Sequence, residues 1–354
     1  MNKGVKKTVT IILAAVCGLV AAIGLAFRRE LLSLSSLQEK YDGVYTMRYY
    51  GDYGFDEFLK TGATTDSDIE AFVTKRLLKG LPIKLNITDA ACTAFVTRDE
   101  TGNMLFARNF DFVYAPFMQL HTKPDNGYAS VSTVNLSFAG YGKENLPSSG
   151  IRANNFLTLA APFLPFDGIN EKGVCMALLA VPDVQMENDP EKVTLNTTTA
   201  IRLVLDKASS VSEAVDLLKQ YNIYFSGGIN CHFLLADASG KSVLIEYYDG
   251  GLQVVESDAD YQIASNFIAY KGVNIGEGFT EFDRFDTVKE TLQKKNNCIT
   301  MQECESLLNE IGVYNGDIDK LQWSVIYNLC DKTGSIWPYR DIARIWDFSC
   351  TELK

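Results

Sequence analysis

Residues 92–112 read Cys92-Thr-Ala-Phe-Val-Thr-Arg98, then Asp99-Glu-Thr-Gly-Asn103, then Met104-Leu-Phe-Ala-Arg-Asn-Phe-Asp-Phe112. Two β-rich runs around a Gly-containing turn predict an antiparallel hairpin. With the turn near residues 100–102, opposed residues sum to about 202, so Cys92 faces Phe110. Arg108 and Asp111 then flank Cys92 at one end of the hairpin. They are three residues apart, so one of them must sit past a bulge or a strand end to reach the same face. A thiol, a guanidinium and a carboxylate thereby meet without any long-range assumption. A cation beside a cysteine lowers the thiol pKa from about 8.5 and raises its nucleophilicity at neutral pH. A buried cysteine beside a surface ion pair is the alternative, and the hairpin alone leaves both open.

Composition narrows the chemistry. The chain has 354 residues, 47% hydrophobic and 22% charged, a balance that buries a normal globular core. It carries 33 basic and 44 acidic residues, a net charge of −11. The first 29 residues hold five bases and no acid, so the rest has 28 against 44, or −16. Such a body repels phosphate backbones, which argues against a nucleic-acid partner. There are two histidines, His121 and His232. No H-E-x-x-H, G-x-S-x-G, C-x-x-C or G-x-x-x-x-G-K occurs, so the sequence points to no metal or cofactor. What remains is a nucleophile that needs no histidine. The eight cysteines lack zinc-ligand spacing. Cys298 and Cys304 are close enough to bridge in an oxidising compartment, with reduced thiols as the other reading.

Thr8–Phe27 is a 20-residue run without a charge, between Lys3/Lys6/Lys7 and Arg28/Arg29. Roughly 20 apolar residues span a bilayer core. The expectation is a signal-anchor at residues 1–29 with its N-terminus inside and the body outside the cytoplasm; a cleaved signal peptide is the alternative. Residues 30–91 read as a helical segment, with amphipathic stretches at Glu30–Tyr41 and Asp66–Leu78 and a Gly80-Leu-Pro82 break. From Ile87 the texture turns to short strands. Ser210-x-x-Glu213 is a capping box, and Ala214, Leu217, Leu218 and Tyr221 continue it as a helix. His232–Asp237, Ser242–Tyr248, Leu252–Glu256 and Tyr261–Asn266 predict four successive strands. Asn170 reads as a turn former, His232 as a hydrogen-bonded core residue, and Glu256, Asp258 and Asp260 as a solvated turn. Asn86, Asn135 and Asn196 head glycosylation sequons.

Cys92-Thr93 followed by Ala107-Arg-Asn-Phe-Asp111 resembles the choloylglycine hydrolase and penicillin V acylase group of linear amide C–N hydrolases. Acid ceramidases and N-acylethanolamine acid amidases are relatives with the same signature. The likeness continues through Asp167-Gly-Ile-Asn-Glu-Lys-Gly-Val174, His232-Phe-Leu-Leu-Ala-Asp-Ala-Ser-Gly-Lys-Ser242, Ile263-Ala-Ser-Asn266 and Asp283-Arg-Phe285, in family order. It implies an α+β fold for residues 92–354, the αββα four-layer sandwich of N-terminal nucleophile hydrolases, preceded by the transmembrane and helical segments.

Carried over, Cys92 is the nucleophile and its α-amino group the general base, which explains why no histidine is required. Arg108 and Arg284 line the cleft and favour the thiolate. Asp111 holds the α-amine, and Asn266 donates its amide to the developing oxyanion. In the bile-salt and penicillin enzymes only the initiator Met precedes the nucleophile, whereas 91 residues precede Cys92 here. The base is thus an amide until the chain is cut before Cys92, as precursor-bearing relatives cut themselves. Ala180 falls where bile-salt hydrolases have Asn and penicillin acylases Tyr, so its side chain cannot assist an oxyanion. Apolar walls from Leu178, Leu179, Val181 and Phe117 would then suit long N-acyl amides as small-molecule substrates. The alternatives are an acyltransferase using the same site and an unprocessed, non-catalytic surface binding protein. An oligomer is compatible with the sequence and not required by it.

Overall fold

The computed structural model describes residues 27–85, 91–273, 281–315 and 318–353, with Ile12, Gly18, Gly24 and Leu25. Among these no helix is long and apolar enough to cross a membrane. The anchor expected over Thr8–Phe27 lies almost wholly outside the described residues.

β3 (Ala91–Arg98) and β4 (Met104–Asp111) form the hairpin, with Cys92 opposite Phe110 as the turn spacing requires. Asp99 closes the turn by accepting the N–H groups of Thr101 and Asn103. The pair lies inside a six-stranded sheet of order β14-β3-β4-β17-β18-β19. Its other members are β14 (Gln262–Ala264), β17 (Leu321–Asn328), β18 (Thr333–Pro338) and β19 (Trp346–Ser349). The hairpin itself pairs without a bulge, so Arg108 and Asp111 stay on opposite faces and do not share the one expected for them. The bulge near Asp111 lies instead on β17, where Leu321 pairs with Asp111 and Trp323 with Phe110, leaving Gln322 between them.

A nine-stranded sheet faces this one. Its order is β1 (Gln38–Tyr41), β2 (Val44–Tyr49), β5 (Phe117–Thr122), β6 (Ser130–Asn135), β7 (Pro165–Asn170), β8 (Cys175–Ala180), β11 (Cys231–Ala236), β12 (Ser242–Tyr248) and β13 (Gly251–Val255). The short pairs β9/β10 (Thr194–Asn196, Asn222–Tyr224) and β15/β16 (Tyr314–Asn315, Ile318–Asp319) stand apart. Every residue of β5, β6 and β7 is buried, as in strands covered on both faces. α4 (Thr197–Lys207) and α5 (Val211–Leu218) cover the outside of the larger sheet. α6 (Glu281–Lys294) and α7 (Met301–Ile311) cover the smaller one, where Val288, Leu292, Leu307 and Leu308 pack on Phe95, Leu105 and Ala107. The result is the expected α-β-β-α layering.

Close approach of α4 depends on Gly168, where a Cβ would come within 2.7 Å of the Val131 carbonyl and 2.8 Å of Leu205 Cδ1. Asn170 is the turn former that its position suggests: its oxygen accepts from Lys172 and Val174 N–H, and its amide donates to Leu205 and Ala208. The capping box at Ser210 is only half made. Ser210 accepts from the Glu213 N–H, but Glu213 turns to Ser209 instead. Asn135 and Asn196 are buried, so neither sequon is open to a glycosyl group, and Asn86 lies outside the described residues. Cys298 and Cys304 are both free.

The segment 30–91 is not simply helical. It contains α1 (Arg28–Ser35), α2 (Phe55–Thr61) and α3 (Asp66–Arg76), but Gln38–Tyr49 is a hairpin turning at Asp42-Gly43. Leu31, Leu34 and Leu37 prolong a helical spacing past the true helix end, which hides the strand that follows. Gly43 has φ +73°, and a Cβ there would lie 2.9 Å from the Tyr114 hydroxyl. β2 then pairs in parallel with β5, so the segment extends the core sheet. Phe58 is buried among Phe55, Phe72 and Phe163. The Tyr53 hydroxyl donates to Asp206 at 2.7 Å, and Asp206 is ion-paired at 3.3 Å with the fully buried Arg202.

A chain severed between residues 86 and 91 is therefore expected to elute as one particle in size-exclusion chromatography, and to separate only in denaturant. Phe58→Ala should cost about 3–5 kcal/mol in urea unfolding, because the aromatic cavity cannot close.

Candidate active site

Six residues singled out from the sequence form one connected cluster. On one face of the hairpin, Arg108 Nη2 donates to Cys92 Sγ at 3.1 Å. Arg108 Nη1 reaches Asp167 Oδ2 at 3.0 Å and the Phe166 carbonyl at 3.2 Å. Beneath the guanidinium lie Phe110 and Trp323, stacked at 4.1 Å. On the other face, Asp111 accepts from Arg284 Nη1 at 3.2 Å and from the Val313 N–H at 2.9 Å. Arg284 Nη2 also donates to Asn266 Oδ1 at 2.9 Å, and that oxygen accepts the Cys92 backbone N–H at 2.9 Å. The Asn266 amide donates to the Ala180 carbonyl at 2.7 Å.

Strand register explains these meetings. β14 pairs with β3 through Gln262–Val96, Ile263–Phe95 and Ala264–Ala94, and two further residues bring Asn266 level with Cys92. The fourth of the successive strands has therefore left the nine-stranded sheet for the other one. Arg284 enters from the first turn of α6, where Phe285 packs edge-on against Phe267 at 5.2 Å.

In the uncut chain the Cys92 nitrogen is an amide held by Asn266. Asp111 is one residue out of phase with Phe110 and faces α6 and α7, where Arg284 and Val313 take its oxygens. Two expectations change. The thiol is not depressed. Burial of Cys92 pushes it up, and although Arg108 and Arg284 pull it down, desolvation wins. Nor is Arg108 at a cleft edge: it is fully buried, and it and Asp167 form an ion pair inside the core. Leu178, Leu179 and Phe117 are likewise core residues, with Phe117 packed on Trp323 at 5.2 Å.

Two acids escaped the sequence reading. Asp167 binds Arg108, Trp323 Nε1 and the Tyr327 hydroxyl. Glu246 accepts from His232 Nδ1, if that nitrogen carries the proton, and from the N–H groups of Ala269 and Tyr270, fixing the turn behind Asn266. Both interrupt apolar strands, a signal that a buried partner is needed.

The model of the linear amide C–N hydrolases, choloylglycine hydrolase family, matches residues 92–284. A penicillin V acylase of Pectobacterium atrosepticum is 31% identical over 111 residues, 28% of this chain; the chain spans only 29% of that relative's length. Two forms of the conjugated bile acid hydrolase of Clostridium perfringens share the fold. Their TM-scores are 0.54 and 0.53, each at 19% identity, over 74% of this chain and 93% and 94% of theirs.

Burial pushes the Asp111 carboxyl up to about 6 from 3.8, against the pull of Arg284 and the Val313 N–H. Between those values the folded chain keeps a proton that the unfolded chain has released. This group's contribution to stability is thus greatest below that window and falls as pH rises through it. Asp111→Asn should remove that decline, so its urea midpoints at about pH 4 and about pH 7 should differ in a manner shifted from the parent's. Equal differences in the two proteins would exclude Asp111 as the source.

Proposed function

Because the chain belongs to the choloylglycine hydrolase family of linear amide C–N hydrolases, we propose that it is a cysteine-nucleophile amidase activated by cleavage of its own Ala91–Cys92 bond. The observation that carries this reading is the pair of contacts at Cys92: Arg108 on its sulfur at 3.1 Å and Asn266 on its backbone nitrogen at 2.9 Å. The first favours the thiolate, and the second orients the nitrogen that becomes an amine.

For activation, Cys92 Sγ attacks the Ala91 carbonyl carbon, the C–N bond breaks, and the released nitrogen takes the thiol proton. Water then hydrolyses the Ala91 thioester, leaving a carboxylic acid on Ala91 and a free α-amine on Cys92. In turnover the amine accepts the thiol proton as Sγ attacks a substrate amide, and returns it to the departing amine. Water releases the acid product. The second N–H of Asn266 and the Ala180 backbone, which hydrogen-bonds the thiol, are the donors available to the oxyanion. The Ala180 side chain contributes only a methyl group.

We propose long-chain N-acyl amides as substrates. Ala180 leaves that edge of the site apolar, and Val113, two residues past Asp111, is 73% exposed. Each buried methylene adds about 0.8 kcal/mol of selection. We also propose that Thr8–Phe27 anchors the chain in a membrane with the amidase outside the cytoplasm, which protease protection of intact cells would test.

Intact-mass analysis should find a fragment running from Cys92 to Lys354, and Cys92→Ala should yield neither cleavage nor turnover. Activity from a chain proven uncut would overturn the mechanism. Arg284→Ala and Asn266→Ala should each slow turnover about a hundredfold. Arg108→Ala should also destabilise the fold by about 3–5 kcal/mol, since it strands a buried carboxylate. In competition, long-chain N-acyl amides should outrun conjugated bile salts and penicillin V; the reverse order would reject the substrate class and leave the nucleophile standing. Adding a primary amine acceptor should leave the free acid as the main product, and a new amide would instead mark an acyltransferase.

A further inference from the structure

We propose that the cleft between β1–β2–β5 and β19 is a binding site for a small oxyanion, a carboxylate or a phosphate. The two sheets differ in width. Trp346 of β19 stacks over Phe117 of β5 at 6.4 Å, and its indole N–H donates to Gln119 Oε1 at 3.1 Å. β19 is the last strand of its sheet, whereas the facing sheet continues through β2 and β1. The overhang leaves a cleft of about 420 Å³, within the range of small-molecule sites.

The polar groups in the cleft ask for an acceptor. An indole N–H can only donate, so the bond from Trp346 fixes the Gln119 amide with Oε1 towards the ring and Nε2 free. Gln119 is 2% exposed, and its Nε2 has no hydrogen-bond partner among the described residues. His121, two residues along the same face of β5, is 8% exposed, and its Nδ1 is likewise unpartnered. Burial and the nearby Arg48 push His121 down to about 4, so near neutral pH it is an uncharged imidazole with one N–H to give. A buried amide N–H and a buried imidazole nitrogen that donates in one of its two tautomers are a cost that a ligand rich in acceptors removes.

Charge supplies the rest. Lys40 and Arg48 line the cleft, are exposed, and form no ion pair with a described residue. The one lining carboxylate, Asp347, accepts the Ser335 hydroxyl at 2.6 Å on the β18 side. On a body of net charge −11, two unpaired cations above two buried donors make a local well for an anion. A guanidinium fork matches the paired oxygens of carboxylate and phosphate. Both cations lie upstream of Cys92, so the site exists only while the N-terminal segment stays docked.

Calorimetry on the full chain at matched ionic strength should give saturable binding with acetate or with inorganic phosphate, and the stronger of the two identifies the headgroup. The same titration followed by NMR should move the His121 ring and leave His232 in place. Arg48→Ala, at an exposed position, should weaken binding about tenfold. Gln119→Glu retains the acceptor for Trp346 but repels an anion, and should abolish binding. Absence of saturable binding by either anion in the folded parent chain would overturn the proposal. So would unchanged affinity in folded samples of both variants, confirmed by their melting curves.

Discussion

The guanidinium of Arg108 is the constraint on which the surrounding structure turns. It is a full charge with no exposure to water, and its bonds to Asp167 and Cys92 compensate for that burial. Taking an ion out of water costs several kcal/mol, so the pair holds only if the carboxylate is itself well bonded. Trp323 and Tyr327 from β17 meet this need at Asp167. One buried cation thus specifies the register of β4 against β17 and the approach of β7 from the opposite sheet. The sulfur of Cys92 is positioned by groups that the fold cannot easily dispense with. The same burial raises the thiol pKa, so its reactivity depends on what happens to the chain around Cys92 as much as on the arginine.

The N-terminal segment belongs to this architecture rather than lying over it. β2 completes backbone pairing along β5, and Tyr53 satisfies Asp206, the carboxylate paired with the fully buried Arg202. Its strands also create the width mismatch that opens the cleft beneath β19.

Much of the site was legible in the sequence because its central part is local. Turn arithmetic sets Cys92 against Phe110, but the bulge expected to bring Asp111 onto the face of Arg108 is absent from the hairpin, and the regular pleat leaves Asp111 on the other face. Asn266 and Arg284 could be named only by resemblance, since neither is near Cys92 in sequence. The misreadings have physical causes. At Gln38–Tyr41 a leucine spacing carried over from α1 masks a strand. Around Asp258–Asp260 a turn that would suit a hairpin instead launches β14 towards another sheet, because the edge it pairs with is distant in sequence. Asp167 and Glu246 find their partners in elements distant in sequence, so no local pattern assigns them a role.

The crossing of β14 bears on timing. Cys92 belongs to an early hairpin, while Asn266 arrives after β11, β12 and β13 have been laid down in the other sheet, and Arg284 after that. Because loop closure over such distances is slow compared with forming a hairpin, the sulfur and its arginine can come together well before the rest of the constellation exists. The constellation is therefore gated by topology: a nascent or half-folded chain holds the Cys92 thiol without the groups that orient it.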